Sequence, residues 1–179
     1  MILKIFIVGE DYIDKCGIAK EICKIDDDLS ISPKFTNDEN INKSTNYNEY
    51  TYYMNNIDID LSYKNNAFLY IYNEDEKSYG VTLDDFYNND IFCLNTEEFN
   101  FISDNILFSY SSLIIWVDTK RKRNKNNCDQ YELNHFLERT ENLPRMYFLD
   151  ESPKTIAETI IRYLNSSIED KEKILEENS

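Results

Sequence analysis

Two short apolar runs, Leu3 to Val8 and Leu113 to Val117, constrain this chain more than any other feature. A strand that is apolar on consecutive positions has no face to offer water, so it belongs in a sheet covered on both sides, as parallel sheets are. Ile91 to Leu94 and Met146 to Leu149 are shorter runs of the same kind. Helical patterns lie between them. Ile18, Ala19, Ile22 and Cys23 recur at helical spacing between Lys15 and Lys24. Thr82-Leu83-Asp84-Asp85 and Thr96-Glu97-Glu98 resemble capped helix starts, the second leading into Phe99, Phe101 and Ile102. A further helix spans about Asp129 to Arg139, and Pro153 opens a last one with Ile156, Ile160, Ile161 and Leu164 on one face. Strands alternating with helices in this way predict an α/β fold: three layers, a parallel sheet with helices on both faces.

The interval after the first helix breaks the alternation. Thr36 to Tyr50 is polar and aperiodic, a surface loop. Ile57, Ile59, Leu61 and Tyr63 then alternate with Asp58, Asp60 and Ser62, and Lys64-Asn65-Asn66 separates them from Ala67 to Tyr72, which predicts an antiparallel hairpin. This makes a small inserted β region. From Ile168 onward the chain reads as a charged, fraying tail. The organisation is therefore a single domain over 1–165, with 30–88 as the inserted subregion and 119–128 as a basic loop, followed by a tail over 166–179.

Composition narrows the function classes. With 41% hydrophobic and 14% aromatic residues there is material for a core, which excludes wholesale disorder, while only 3 Gly and 3 Pro exclude collagen-like or linker-rich architectures. Against 34 acidic residues stand 19 basic ones, a net charge of −15 that repels nucleic acid and anionic membranes, so neither is an expected partner. No apolar stretch approaches the roughly 20 residues that span a bilayer. The apolar run near Met1 is too short for a secretory signal, and the scattered Cys16, Cys23, Cys93 and Cys128 form no C-x-x-C pair, so a cytoplasmic protein with reduced, unpaired thiols is expected. With one His in the chain, His135, no zinc or other metal site is expected. His135 lies between Leu133 and Phe136 without a nucleophile beside it and is read as structural. Asp118, ending the strongest strand, either orients a metal or water or caps the following turn. The clustered Tyr50, Tyr52 and Tyr53 either stack on a base or pack in the β region.

In an α/β sheet the carboxyl end of the first strand is the place to look for a phosphate site, because a helix N-terminus presents N–H groups there. Its residues are Gly9-Glu10-Asp11-Tyr12-Ile13-Asp14-Lys15-Cys16. Against G-x-x-x-x-G-K-[ST], Gly9 and Lys15 match, Asp14 stands at the second Gly and Cys16 at the magnesium-binding hydroxyl. A carboxylate repels the anion such a turn would embrace, and a thiol is a poor ligand for magnesium. On these residues alone, Gly9 ends a strand and Lys15 is a solvated first-turn residue.

The order of elements adds a second reading. From Ile2 to Leu164 the chain resembles the guanylate kinase-like branch of P-loop nucleoside monophosphate kinases. Leu29 to Asp38 is similar to that family's S-x-x-T-T-R segment, with Asp38 in place of the Arg. Tyr52 or Tyr53 corresponds to a tyrosine of its nucleotide-binding β region, and Tyr79-Gly80-Val81-Thr82 to its Y-G-T segment with the Thr displaced by one. Lys120, Arg121, Lys122, Arg123 and Lys125 stand where the family carries a basic lid. The resemblance implies that Gly9, Asp14, Lys15 and Cys16 occupy the phosphate-loop position, that Ser32, Thr36, Tyr53 and Tyr79 face a nucleotide acceptor, and that Lys15, Arg121 and Arg123 are the catalytic groups of any active form.

Three functions follow. The first is a guanylate kinase-like protein with a degenerate phosphate loop, a non-catalytic module that binds a nucleotide or a protein with a basic surface, in the cytoplasm or of viral or phage origin in host cytoplasm or virion. The second is an active nucleoside monophosphate kinase using ATP and magnesium. The third is an unrelated α/β viral structural or host-interaction protein.

Overall fold

The four doubly apolar segments pair with one another. In the computed structural model, which describes residues 3–41, 50–74, 76–119 and 128–178, β1 (Leu3–Val8), β6 (Ile91–Leu94), β7 (Ser111–Asp118) and β8 (Arg145–Leu149) form a wholly parallel sheet in the order β6-β1-β7-β8. The strand period of two assigns each residue to a face. Ile5, Ile7, Cys93, Ile115 and Phe148 point to one side, where α1 (Lys15–Ile25), α7 (Pro153–Leu164) and α8 (Ile168–Glu177) cover them. Phe6, Val8, Phe92, Leu94 and Trp116 point to the other, against α3 (Leu83–Asn88), α4 (Thr96–Phe101), α5 (Asp104–Ser109) and α6 (Cys128–Arg139). These are the three layers the alternation of strands and helices predicts.

A second sheet is inserted between α1 and α3. It holds β2 (Lys34–Thr36), β3 (Thr51–Tyr53), β4 (Phe68–Glu74) and β5 (Lys77–Thr82) in the order β3-β2-β5-β4. Here the expected hairpin is corrected. Residues 57–63 are not a strand but lie in α2 (Asn56–Lys64), and β4 pairs antiparallel with β5 instead. The alternation that imitates a buried strand face is in fact largely solvated, since Ile57, Leu61 and Tyr63 are exposed and only Ile59 is buried. Local capping decides the conformation: the Asn55 side chain accepts from the Asp58 N–H and donates to its carboxylate. Asn66, in the left-handed region at φ 52°, ends the helix.

The tail is the second correction. Residues 168–177 form α8, capped by Ser167, with Ile174 buried against α7 and the sheet. The Tyr147 N–H of β8 donates to the Asn178 carbonyl at 2.6 Å. A third, smaller difference lies at α4, whose N-cap is Asn95 rather than Thr96, and whose capping box is completed by Glu98.

Lys4 is the unusual residue of the first strand. It faces the same side as Phe6 and is fully buried, and its ammonium donates to the carbonyls of Phe86 at 2.6 Å and Asn89 at 2.5 Å, closing the C-terminal end of α3. Burial pushes its pKa down, opposed by the Asp90 carboxylate.

Two stability outcomes are expected. Lys4→Met keeps most of the stem but leaves two carbonyls without their donor, and lowers stability by roughly 1–3 kcal/mol, read as a lower urea midpoint at unchanged slope. An unchanged midpoint contradicts the bracing role. Ile174→Ala costs about 2–4 kcal/mol if α8 is an integral layer of the core, whereas a fraying tail predicts no change in the thermal midpoint.

Candidate functional site

The turn after β1 is shaped by what its residues do for one another. Gly9 has no left-handed backbone to accommodate; its need is space, because a Cβ there would lie 2.5 Å from the Val117 carbonyl oxygen of β7. Asp14 is the N-cap of α1, and its carboxylate accepts the Gly17 N–H at 2.8 Å. Gly17 admits this carboxylate, since a Cβ would stand 2.3 Å from its Oδ2. The Ile13 and Lys15 N–H groups donate to the carbonyls of Glu10 and Ile13. Lys15 is not solvated as its bare position in the first turn suggests: it is 8% exposed, and its ammonium donates to the carbonyls of Gly9 at 2.8 Å and Glu10 at 2.6 Å. Burial and the neighbouring Lys34 lower its pKa, against the carboxylates of Asp11 and Glu98.

A buried carboxylate organises the opposite wall. Glu98 accepts both contacts of the Lys34 ammonium, at 2.8 and 2.6 Å, the Tyr70 hydroxyl at 3.1 Å and the Asn95 N–H at 2.7 Å. Burial, followed by the Glu98 charge, pushes the Tyr70 hydroxyl well above its ordinary pKa. Tyr72 and Tyr79 stack at 5.2 Å, and Phe101 continues the stack on Tyr72. Between this wall and the α1 turn lies a cavity of about 430 Å³ at the carboxyl ends of β1 and β6, roofed by the inserted sheet.

This cavity brings together Asp14, Lys15, Cys16 and Tyr79 of the residues singled out in the sequence, with Gly9 immediately behind the turn. It does not bring in the others. Ser32 is buried beside β2, its N–H on the Ile91 carbonyl, and Thr36 is buried with its hydroxyl accepting the Asp38 N–H. Tyr53 is exposed, while the neighbouring Tyr52 hydroxyl donates to Asp85 at 2.9 Å. Asp38, standing where an Arg was sought, pairs with Lys77 at 2.7 Å. Arg121 and Arg123, with the rest of the basic loop, lie outside the described residues. Asp118 accepts the Thr119 N–H, the turn-capping role. His135 is exposed on α6, so it is a surface residue rather than a core one. Sequence reasoning missed Lys34, Glu98 and Cys93; the Asn95–Glu98 spacing of a capping box was the one readable hint. Among the described residues no cluster of three or more His, Cys, Asp or Glu is placed to hold a metal ion.

Cys16 and Cys93 meet at the cavity. Both side chains line it, and Cys93 is buried while Cys16 is half-buried. Interaction with the Cys93 side chain draws the Cys16 pKa down to about 7; burial and Asp14 oppose this, and the Lys34 and Lys15 charges add to it. The same interaction and burial push Cys93 well up, and burial raises Cys23. The iodoacetamide reaction of Cys16, followed by peptide mass, is expected to turn on with a midpoint near pH 7. Lys34→Met should move that midpoint upward. A midpoint at the ordinary thiol value of about 8.5 contradicts the thiol pair.

No known family profile and no curated protein sequence matches this chain. Among solved structures, the fold is similar to that of the guanylate kinase from Anaplasma phagocytophilum, with a TM-score of 0.60 over 93% of this chain and 88% of that one, at 12% sequence identity. At such identity the likeness concerns the backbone arrangement, which here is a parallel four-stranded sheet between helical layers. The chain has a guanylate kinase-like α/β fold.

Proposed function

We propose that this guanylate kinase-like domain has a phosphate-binding turn unsuited to phosphoryl transfer, and that it serves as a binding or protein-interaction module. One observation carries the reading: the two charges at the head of α1 are both committed within the chain. The Asp14 carboxylate sits on the helix N-terminus, where an incoming phosphate would be received, and the Lys15 ammonium is turned back onto the Gly9 and Glu10 carbonyls. The net charge of −15 favours a protein partner with a basic surface. Magnesium fits poorly at this turn, because Cys16 offers a soft thiol where a hard cation needs an oxygen ligand.

An active nucleoside monophosphate kinase is the second reading. It is favoured by the cavity at the carboxyl edge of the sheet, which has Lys15 and Lys34 in its lining and aromatic rings opposite. Catalysis in such an enzyme would need Lys15 released to the phosphates, with ATP and magnesium bound and the basic loop closing over them.

Thermal shift separates the two. A ligand at a hundredfold excess over its Kd adds about 2.7 kcal/mol, a rise of roughly 5–10 °C for a domain of this size. With ATP, GMP and magnesium, alone and together, the natural protein is expected to stay within about 1 °C of its unliganded midpoint. Asp14→Gly combined with Cys16→Ser should restore a nucleotide-dependent rise. Turnover of any nucleoside monophosphate near the roughly 1–100 per second typical of kinases, lost in Lys15→Ala, overturns the non-catalytic reading.

A further inference from the structure

The thiol pair at the cavity has chemistry of its own, whether or not a nucleotide binds there. Cys16 stands in the first turn of α1 and Cys93 in β6, and both line the same cavity. They are far apart in sequence, so only the fold brings them to one cavity wall, where their side chains interact. Cys16 is half-buried and reachable from the cavity, whereas Cys93 is 5% exposed and packed into the core face of the sheet. Lys15 and Lys34 line the same space, as do Asp14 and Glu98.

We propose that Cys16 and Cys93 are a reversible dithiol–disulfide pair, in which a low-molecular-weight disulfide entering the cavity modifies Cys16 and Cys93 resolves the adduct. The asymmetry assigns the order. Accessible Cys16, with Lys34 and Lys15 nearby to favour its thiolate, is the attacking group; enclosed Cys93, held in its protonated form, waits for a partner delivered beside it. In the first step the Cys16 thiolate attacks one sulfur of the disulfide RSSR, the S–S bond breaks, and RS⁻ leaves and takes up a proton. In the second, Cys93 gives up its proton to solvent and attacks Cys16 Sγ, expelling the remaining RS⁻, which is protonated in turn. Two protein thiols are oxidised by two electrons and one small disulfide is reduced to two thiols. Closing the bond brings the two sulfurs to an S–S distance of about 2 Å. The bond would tie the α1 turn to β6 along the cavity wall. The reduced pair described above is one end of this equilibrium.

The test uses the full chain and oxidised glutathione in a defined glutathione buffer at pH 7. The expected product loses about two mass units per chain, returns to the starting mass with reductant, and yields a single cross-linked peptide joining Cys16 to Cys93. Cys93→Ala should stop at a glutathione adduct on Cys16, formed about tenfold faster than any adduct on Cys23. Cys16→Ser should take up no glutathione at Cys93. Far-UV circular dichroism checks that each variant is folded, and the peptide map of the unsubstituted chain decides the matter even where a variant is not. Adducts confined to Cys23 or Cys128, or a Cys16 that stays unmodified while they react, overturn the proposal.

Discussion

The Glu98 carboxylate accepts hydrogen bonds from Lys34 on β2, from Tyr70 on β4 and from the Asn95 N–H that opens α4, so one buried charge ties the inserted sheet to the helix start directly after β6. A charge in that position is tolerated only when its lone pairs are filled, and an uncompensated one costs several kcal/mol. Each donor is therefore held where the carboxylate needs it. The inserted sheet also buries Leu69, Tyr70 and Val81 in the cluster that holds Phe6 and Phe92, so polar and apolar contacts fix it together. With Glu98 in place, the aromatic wall of Tyr72 and Tyr79 stands at a defined position across from the α1 turn, and the cavity has fixed walls.

The parallel sheet was legible because it is written in local composition. Lys4 apart, Leu3 to Val8, Ile91 to Leu94, Leu113 to Val117 and Met146 to Leu149 are apolar or aromatic on both faces, and each lies within the strand it predicts. The inserted region was misread where a period of two had a different cause: Ile57, Leu61 and Tyr63 alternate with carboxylates on a solvated helix, where no core selects a face. The end of the chain was misread because α8 buries a single residue completely, Ile174, which leaves little imprint amid the charges. At the site, the α1 turn was found because its pattern is contiguous. Lys34 and Cys93 were not, since their partners come from distant segments, and Glu98 showed only its capping-box spacing to Asn95.

The same contrast bears on the α1 turn. A sequence comparison records Asp14 and Cys16 as mismatches to a phosphate loop, which is a statement about what is missing. The structure shows each residue with a partner: Asp14 caps its helix with the help of a side-chain-free Gly17, Lys15 stitches the turn to the end of β1, and Cys16 faces Cys93. The turn is a closed hydrogen-bonded unit in its own right. Opening it to a ligand requires breaking contacts that the fold has already made.

The parallel sheet ends on both sides against chain that is not part of it. On the β6 side, the Ile91 N–H donates to Ser30 and the Ile91 carbonyl accepts from Ser32, in an isolated bridge through Ile31. On the β8 side, the Tyr147 N–H is taken by Asn178. An uncovered strand edge is a template on which a second chain can add a strand, the first step toward aggregation. The segment before β2 and the turn after α8 thus act as blunting caps for a strongly apolar sheet, and loss of the final helix would leave a sticky border as well as a smaller core.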